Sequence, residues 1–158
     1  MIISYLKTKQ STLVDEGWAA FEIGNLRKAE DHFLTVLKHE DDPHMTIFDS
    51  VEAHNGMGAV SRSHKDFFDA WRWYKEAEYL LDQYYEKKWP PKLSWDHPHD
   101  RPALRTLSGL GHTAFARGDI KVARRYYQMI LDCDLKDELG IQRYLTAIRR
   151  GEEYQGIF

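Results

Sequence analysis

One pattern recurs three times along this chain and constrains its fold more than any other feature. Gly17, Ala29 and Phe33 return as Gly58, Ala70 and Tyr74, then as Gly111, Ala123 and Tyr127: a glycine, an alanine twelve residues on, and an aromatic four further. None of the other glycines opens such a triple. With 10 glycines and 13% aromatic residues, chance supplies roughly 0.1 such triples, so the repetition belongs to the fold. The physical reading is close approach: glycine in one helix and alanine in the next let two backbones come together, and the aromatic fills the space behind them. Related turns fall inside each triple, at Gly24-Asn25-Leu26, Lys65-Asp66-Phe67 and Gly118-Asp119-Ile120, where a left-handed residue, a side-chain cap and an apolar anchor follow one another. Lys65 is the costly copy, because a left-handed residue bearing a Cβ costs about 1 kcal/mol.

Between these marks the apolar spacing is helical. Leu13, Gly17, Ala20 and Phe21 share one face of a helix that Gly24 stops, and Leu26, Ala29, Phe33, Val36 and Leu37 form the next face. Asp42-Pro43 reads as an N-cap followed by a first-turn proline, which predicts a long helix from there to about Ser63. A fourth helix starts near Phe67, carries Ala70, Tyr74, Ala77 and Leu81 on one side, and runs to about Lys88. A fifth spans Pro102 to Arg117, a sixth carries Ile120, Ala123, Tyr127, Ile130 and Leu131, and Leu139, Tyr144, Leu145 and Ile148 predict a seventh ending at Gly151. No segment alternates like a strand, which leaves the βαβ dinucleotide unit and the P-loop without the strand they require. The expected class is all-α.

The triples resemble the tetratricopeptide repeat (TPR) family, whose helix-turn-helix unit of about 34 residues carries such anchors. The resemblance implies a right-handed α-solenoid in a single domain, 1–158: three TPR-like helix pairs at 10–43, 51–84 and 104–137, a Pro- and Trp-rich insert at 85–103, and a C-terminal capping helix at 137–150. Ala29, Ala70 and Ala123 lie 41 and 53 residues apart, about 7 and about 19 more than the unit length. The first excess, 44–50, is expected to lengthen the helix after Pro43. The repeats are divergent: Leu13, His54 and Leu107 stand where the family has a first-helix tryptophan.

TPR arrays bind proteins, so the resemblance implies a non-catalytic interaction module or adaptor holding a peptide or helix of a partner in a concave groove lined by the first helix of each pair. Spacing of i, i+3, i+7 and i+10 gathers Ser11, Val14, Trp18 and Phe21, then Glu52, Asn55, Ala59 and Arg62, then Arg105, Ser108, His112 and Phe115 into stripes facing away from the second helices. The groove candidates are Trp18, Phe21, Asn55, Arg62, Arg105, Ser108, His112 and Phe115, an aromatic and mildly basic set suited to a partner that is apolar with acidic residues. The alternative for Trp18 and Phe21 is burial beneath residues 2–6. Some TPR proteins clamp chaperone carboxylates with lysines and asparagines; the matching positions here are Val14, Trp18, Gly56, Arg105 and Gly109, with one cation among them, so that mode is not expected. Two of the five tryptophans, Trp89 and Trp95, sit in the insert, either packed on the body or facing a partner.

Charge and composition narrow the remaining classes. With 22 Lys+Arg against 25 Asp+Glu and a formal charge of -3, the chain has no field to hold nucleic acid by counterion release. A mean hydropathy of -0.63 and the lack of an apolar run of about 18 residues predict no membrane span. Met1 to Gln10 is followed by no small-residue cleavage site and does not read as a secretion signal, and a single cysteine suits a reducing compartment, so the expected location is cytoplasmic. His97-Pro98-His99 and the stretch containing His39, Glu40, Asp41, Asp42 and His44 hold metal-ligand atoms, but no His-Glu-x-x-His or thiol pair accompanies them. A Gly-x-Ser-x-Gly elbow and a Gly-rich phosphate loop are also missing. No metal, cofactor or catalytic residue is therefore expected, and Cys133, between Asp132 and Asp134, should have a raised thiol pKa. The competing readings are a self-associating homo-oligomeric solenoid and a small metal-dependent enzyme using the histidine-containing insert with His112.

Overall fold

The computed structural model describes residues 9–134 and 136–156. Among them are seven α-helices and no strand: α1 (Lys9–Glu22), α2 (Leu26–Leu37), α3 (Ile47–Ser63), α4 (Phe67–Tyr84), α5 (Arg101–Ala116), α6 (Ile120–Cys133) and α7 (Ile141–Arg149). The all-α expectation holds. No helix among the described residues is long and apolar enough to cross a membrane.

Local chemistry sets most of the boundaries. Asn25, Asp66 and Asp119 each accept a hydrogen bond from a first-turn backbone N–H, from Lys28, Asp69 and Val122 respectively, and so start α2, α4 and α6. The residue before each of these caps is left-handed: Gly24 at φ 80°, Lys65 at φ 59° and Gly118 at φ 82°. Lys65 therefore takes the strained conformation that its place in the pattern demands.

Three boundaries differ from expectation. The helix predicted after Pro43 begins instead at Ile47, because Thr46 and Asp49 form a reciprocal capping box, with Asp49 N–H on the Thr46 hydroxyl at 3.2 Å and Thr46 N–H on the Asp49 carboxylate at 3.0 Å. Asp42 serves a tight turn, accepting from His44 N–H at 2.9 Å, and the extra residues of the first repeat go partly into this turn. The fourth helix ends at Tyr84 rather than Lys88, since Glu86 and Lys87 are both left-handed and reverse the chain. The capping helix is also shorter at its start, where Asp137 receives Ile141 N–H at 2.6 Å and Gln142 N–H at 3.0 Å.

Consecutive helices pack on one another, and α3 also touches α1 and α5; α4 reaches α6 through side chains, Glu78 accepting from the Tyr126 hydroxyl at 3.0 Å and Trp71 meeting the Tyr126 ring edge-on at 6.0 Å. The helices α1, α3 and α5 thus form a row. Glycines make this possible. Had Gly17, Gly58 and Gly111 a Cβ, it would stand 2.6, 2.7 and 2.6 Å from the rings of Phe33, Tyr74 and Tyr127. A second glycine presses on the same rings from the following helix: Gly56 against Phe33, and Gly109 against Tyr74, both closer still. Residues two apart on a helix point to opposite sides, so Gly56-x-Gly58 and Gly109-x-Gly111 each admit two rings, one from the preceding pair and one from their own. After the last pair no second glycine presses on the ring of Tyr127 among the described residues, and Tyr144 of α7 stacks on it instead at 5.4 Å and 18°.

The insert lies on the body. Leu93 is buried and its N–H donates to the Cys133 carbonyl at 3.2 Å. Trp89 stacks on Tyr85 at 5.8 Å, and Trp95 lies half-buried beside Arg101 and Arg105. Replacing Gly109 with Ala should destabilise the protein by about 1–3 kcal/mol through overpacking against a rigid ring, although alanine is worth about 1 kcal/mol over glycine in an open helix. Urea unfolding measures the sign: destabilisation supports the wedged ring, and a gain of helix stability would refute it.

Candidate functional site

The stripes of α1, α3 and α5 come together, but their two halves are built for different purposes. In the half nearer the helix starts, Glu52 is the hub. Its carboxylate, 7% exposed, accepts from Trp18 Nε1–H at 3.1 Å and from Asn55 Nδ2–H at 3.1 Å, and it pairs with Arg105. Burial pushes the Glu52 carboxyl above its ordinary value of 4.5, opposed by the Arg105 charge and by the hydrogen bonds from Asn55, Arg105 and Trp18. Asn55 is completely buried, donating also to the Pro102 carbonyl at 2.9 Å and accepting from the Thr106 hydroxyl at 2.8 Å. The Arg105 guanidinium lies 5.3 Å from both the Trp18 and the Trp95 rings. Ser11 donates to Asp49 at 2.8 Å at the same end.

These contacts tie α1, α3, α5 and the insert into one network, so Trp18, Asn55 and Arg105 spend their polar atoms inside the molecule. Trp18 further meets Phe21 and Phe33 edge-on at 5.6 and 5.3 Å. Ser108, half-buried, donates to the Arg105 carbonyl at 3.1 Å. The residues 2–6 considered as a cover for Trp18 and Phe21 lie outside the described residues.

In the other half the stripe opens. A cavity of about 740 Å³ lies between the ends of α3 and α5, the turns that follow them, and the tail after α7. Arg62, Lys65 and Arg117 bring positive charge to its wall, Phe67, Phe115 and Ile120 bring apolar surface, and Glu152, Glu153 and Tyr154 border it from the tail. Beside it stands an aromatic cluster. The His112 ring lies 5.5 Å from Tyr127, 4.5 Å from Tyr144 and 5.4 Å from Tyr154, and its Nδ1 shares a hydrogen bond of 2.8 Å with the Tyr127 hydroxyl. Burial, then the charges of Arg62 and Arg143, hold His112 well below its ordinary 6.5, so it is neutral. The Arg62 charge also reaches Tyr74, Tyr127 and Tyr154, whose hydroxyls are raised by burial.

Sequence reasoning named Arg62, His112 and Phe115 in this region. It missed Lys65, Arg117 and the tail, because a turn residue and a chain end look solvated when no partner surface is in view. Elsewhere, His97 and His99 are exposed on the insert, and among the described residues no three His, Cys, Asp or Glu side chains gather into a metal-holding group. Burial, with the neighbouring charges of Asp132 and Asp134, pushes the Cys133 thiol up to about 11. No family model matches this chain, and neither does any curated protein or solved structure.

Arg105→Ala should lower stability by about 1–3 kcal/mol, because it strips the cation from a buried carboxylate. Adding Glu52→Gln to that variant should recover part of the loss, since the amide needs no counter-charge. Denaturant melts of the two variants decide it: a loss below about 0.5 kcal/mol would mark Arg105 as an ordinary surface cation.

Proposed function

We propose that the chain is a divergent TPR-like solenoid of three helix pairs capped by α7, acting as a non-catalytic interaction module that holds a segment of a partner protein. The threefold Gly, Ala, aromatic register and the row formed by α1, α3 and α5 support the repeat reading. The observation that carries the functional reading is the cavity at the ends of α3 and α5. It combines the cations Arg62, Lys65 and Arg117 with the apolar side chains of Phe67, Phe115, Ile120 and Ile148, drawn from the ends of α3 and α5, the turns after them, the starts of α4 and α6, and α7, which is the chemistry of an apolar segment bearing acidic residues.

The binding end differs from the one that spacing alone favours. Trp18 and Arg105 hold the helices together, whereas Phe115 and Arg117 face the cavity. Arg117 is exposed, 3.7 Å from Asp119 within its own turn and 4.9 Å over the Trp71 ring, so its charge is accessible to a ligand.

Selection from a displayed random-peptide library tests this. The retained sequences should be enriched in Asp or Glu beside aromatic or aliphatic residues. Arg117→Ala should weaken them roughly tenfold, an effect that salt diminishes, while Lys121→Ala on the exposed face of α6 leaves binding unchanged. Peptides that bind both variants equally, or that carry no acidic residue, would remove this site.

A further inference from the structure

The cavity already has a neighbour of the chemistry it calls for. After α7 the chain turns at Gly151, left-handed at φ 70°, and returns along the first-helix stripe of the third pair. The Tyr154 ring meets Phe115 edge-on at 5.4 Å, stacks on Tyr144 at 6.0 Å and 27°, and covers the face of the site at His112. Two acids, Glu152 and Glu153, precede it and border the same cavity as Lys65 and Arg117. We infer that the tail is an intramolecular occupant of this site, and that the partner segment it stands in for carries two acidic residues followed by an aromatic.

The tail is held by few ties. Glu152 N–H donates to the Ala147 carbonyl at 3.0 Å, and its carboxylate lies 3.8 Å from Arg150, both side chains exposed. Among the described residues no backbone hydrogen bond runs from 153–156 to another backbone group. Among residues 151–156 the Tyr154 ring packs against the body, and Phe67, Ile120 and Arg117 extend the cavity wall beyond the rings that Tyr154 touches. An external segment that places its ring where Tyr154 sits and continues over this wall makes contacts the tail does not. With Tyr154 tethered five residues beyond Arg149, the last residue of α7, the tail competes at an effective concentration of about millimolar. The unmodified chain is accordingly a weak binder, and loss of the tail ring makes it a stronger one.

This inference rests on the proposed peptide-binding role, and its test is separable from it. The probe is a labelled synthetic peptide, Glu-Glu-Tyr-Gln-Gly-Ile-Phe, with the tail's sequence, titrated by fluorescence anisotropy into the full chain. Tyr154→Ala should bind it at least tenfold more tightly than the parent, Arg117→Glu added to Tyr154→Ala should reverse most of that gain, and a peptide with Ala in place of its Tyr should fail. Circular dichroism on each variant guards against misfolding, and exposed Arg117 gives a second readout that does not disturb the core. Equal binding by parent and Tyr154→Ala, or no binding by either, overturns the inference. In that case library-selected peptides that still depend on Arg117 would leave the general function standing. A concentration-dependent dimer requiring Tyr154 in light scattering would make a second copy the occupant and would equally overturn the assignment to a partner.

Discussion

An aromatic ring held between two glycines of successive first helices is the contact on which everything else depends. Phe33 fills the space bounded by Gly17 and Gly56, and Tyr74 that bounded by Gly58 and Gly109. Both are buried, and a rigid ring in a close-packed interior tolerates no added methyl on either side. The ring thus fixes two distances at once, from each second helix to its own first helix and to the next one. Tyr127 meets Gly111 in the same way, and then Tyr144 replaces the missing glycine, so the series ends with an aromatic stack instead of another helix pair. At the opposite end Asp15 occupies the place two before Gly17 and is exposed.

Because the rings set the row of α1, α3 and α5, side chains far apart in the chain are brought within bonding distance along it. One end of the row becomes a closed polar network around Glu52, where Trp18, Asn55 and Arg105 meet the needs of one buried carboxylate. A buried ion pair of this kind contributes modestly to stability, and its loss is costly chiefly because the surviving charge is stranded. The other end has cations and apolar side chains but no such hub, and there the cavity and the tail lie. The division explains why aromatic and basic residues of similar spacing do different work: those near Glu52 are consumed by it, and Arg62 and Phe115, beyond its reach, line the cavity.

The helical class, the caps at Asn25, Asp66 and Asp119, and the strained Lys65 were legible because each depends on residues within one turn. Gly17, Gly58 and Gly111 were legible because their partners recur at fixed offsets. Gly56 and Gly109 were not, since their rings belong to the preceding pair. The helix expected after Asp42-Pro43 shows one local signal losing to another, the capping box at Thr46 and Asp49 leaving the proline in a turn. Glu52 read as a groove position because its partners, Trp18 and Arg105, lie 34 and 53 residues away. For the same reason the sequence carried no reading of the residues after Gly151: nothing local announces that Tyr154 meets Phe115.

The central claim, that Phe33 and Tyr74 are each shared by two first helices, is tested most directly by nuclear Overhauser measurements on selectively labelled protein. The account predicts cross-peaks from the Tyr74 ring protons to the Hα protons of both Gly58 and Gly109, with both glycines displaced by the ring current. Cross-peaks to Gly58 alone, with Gly109 at an ordinary helical shift, would show that the pairs do not stack through the ring and would contradict the account.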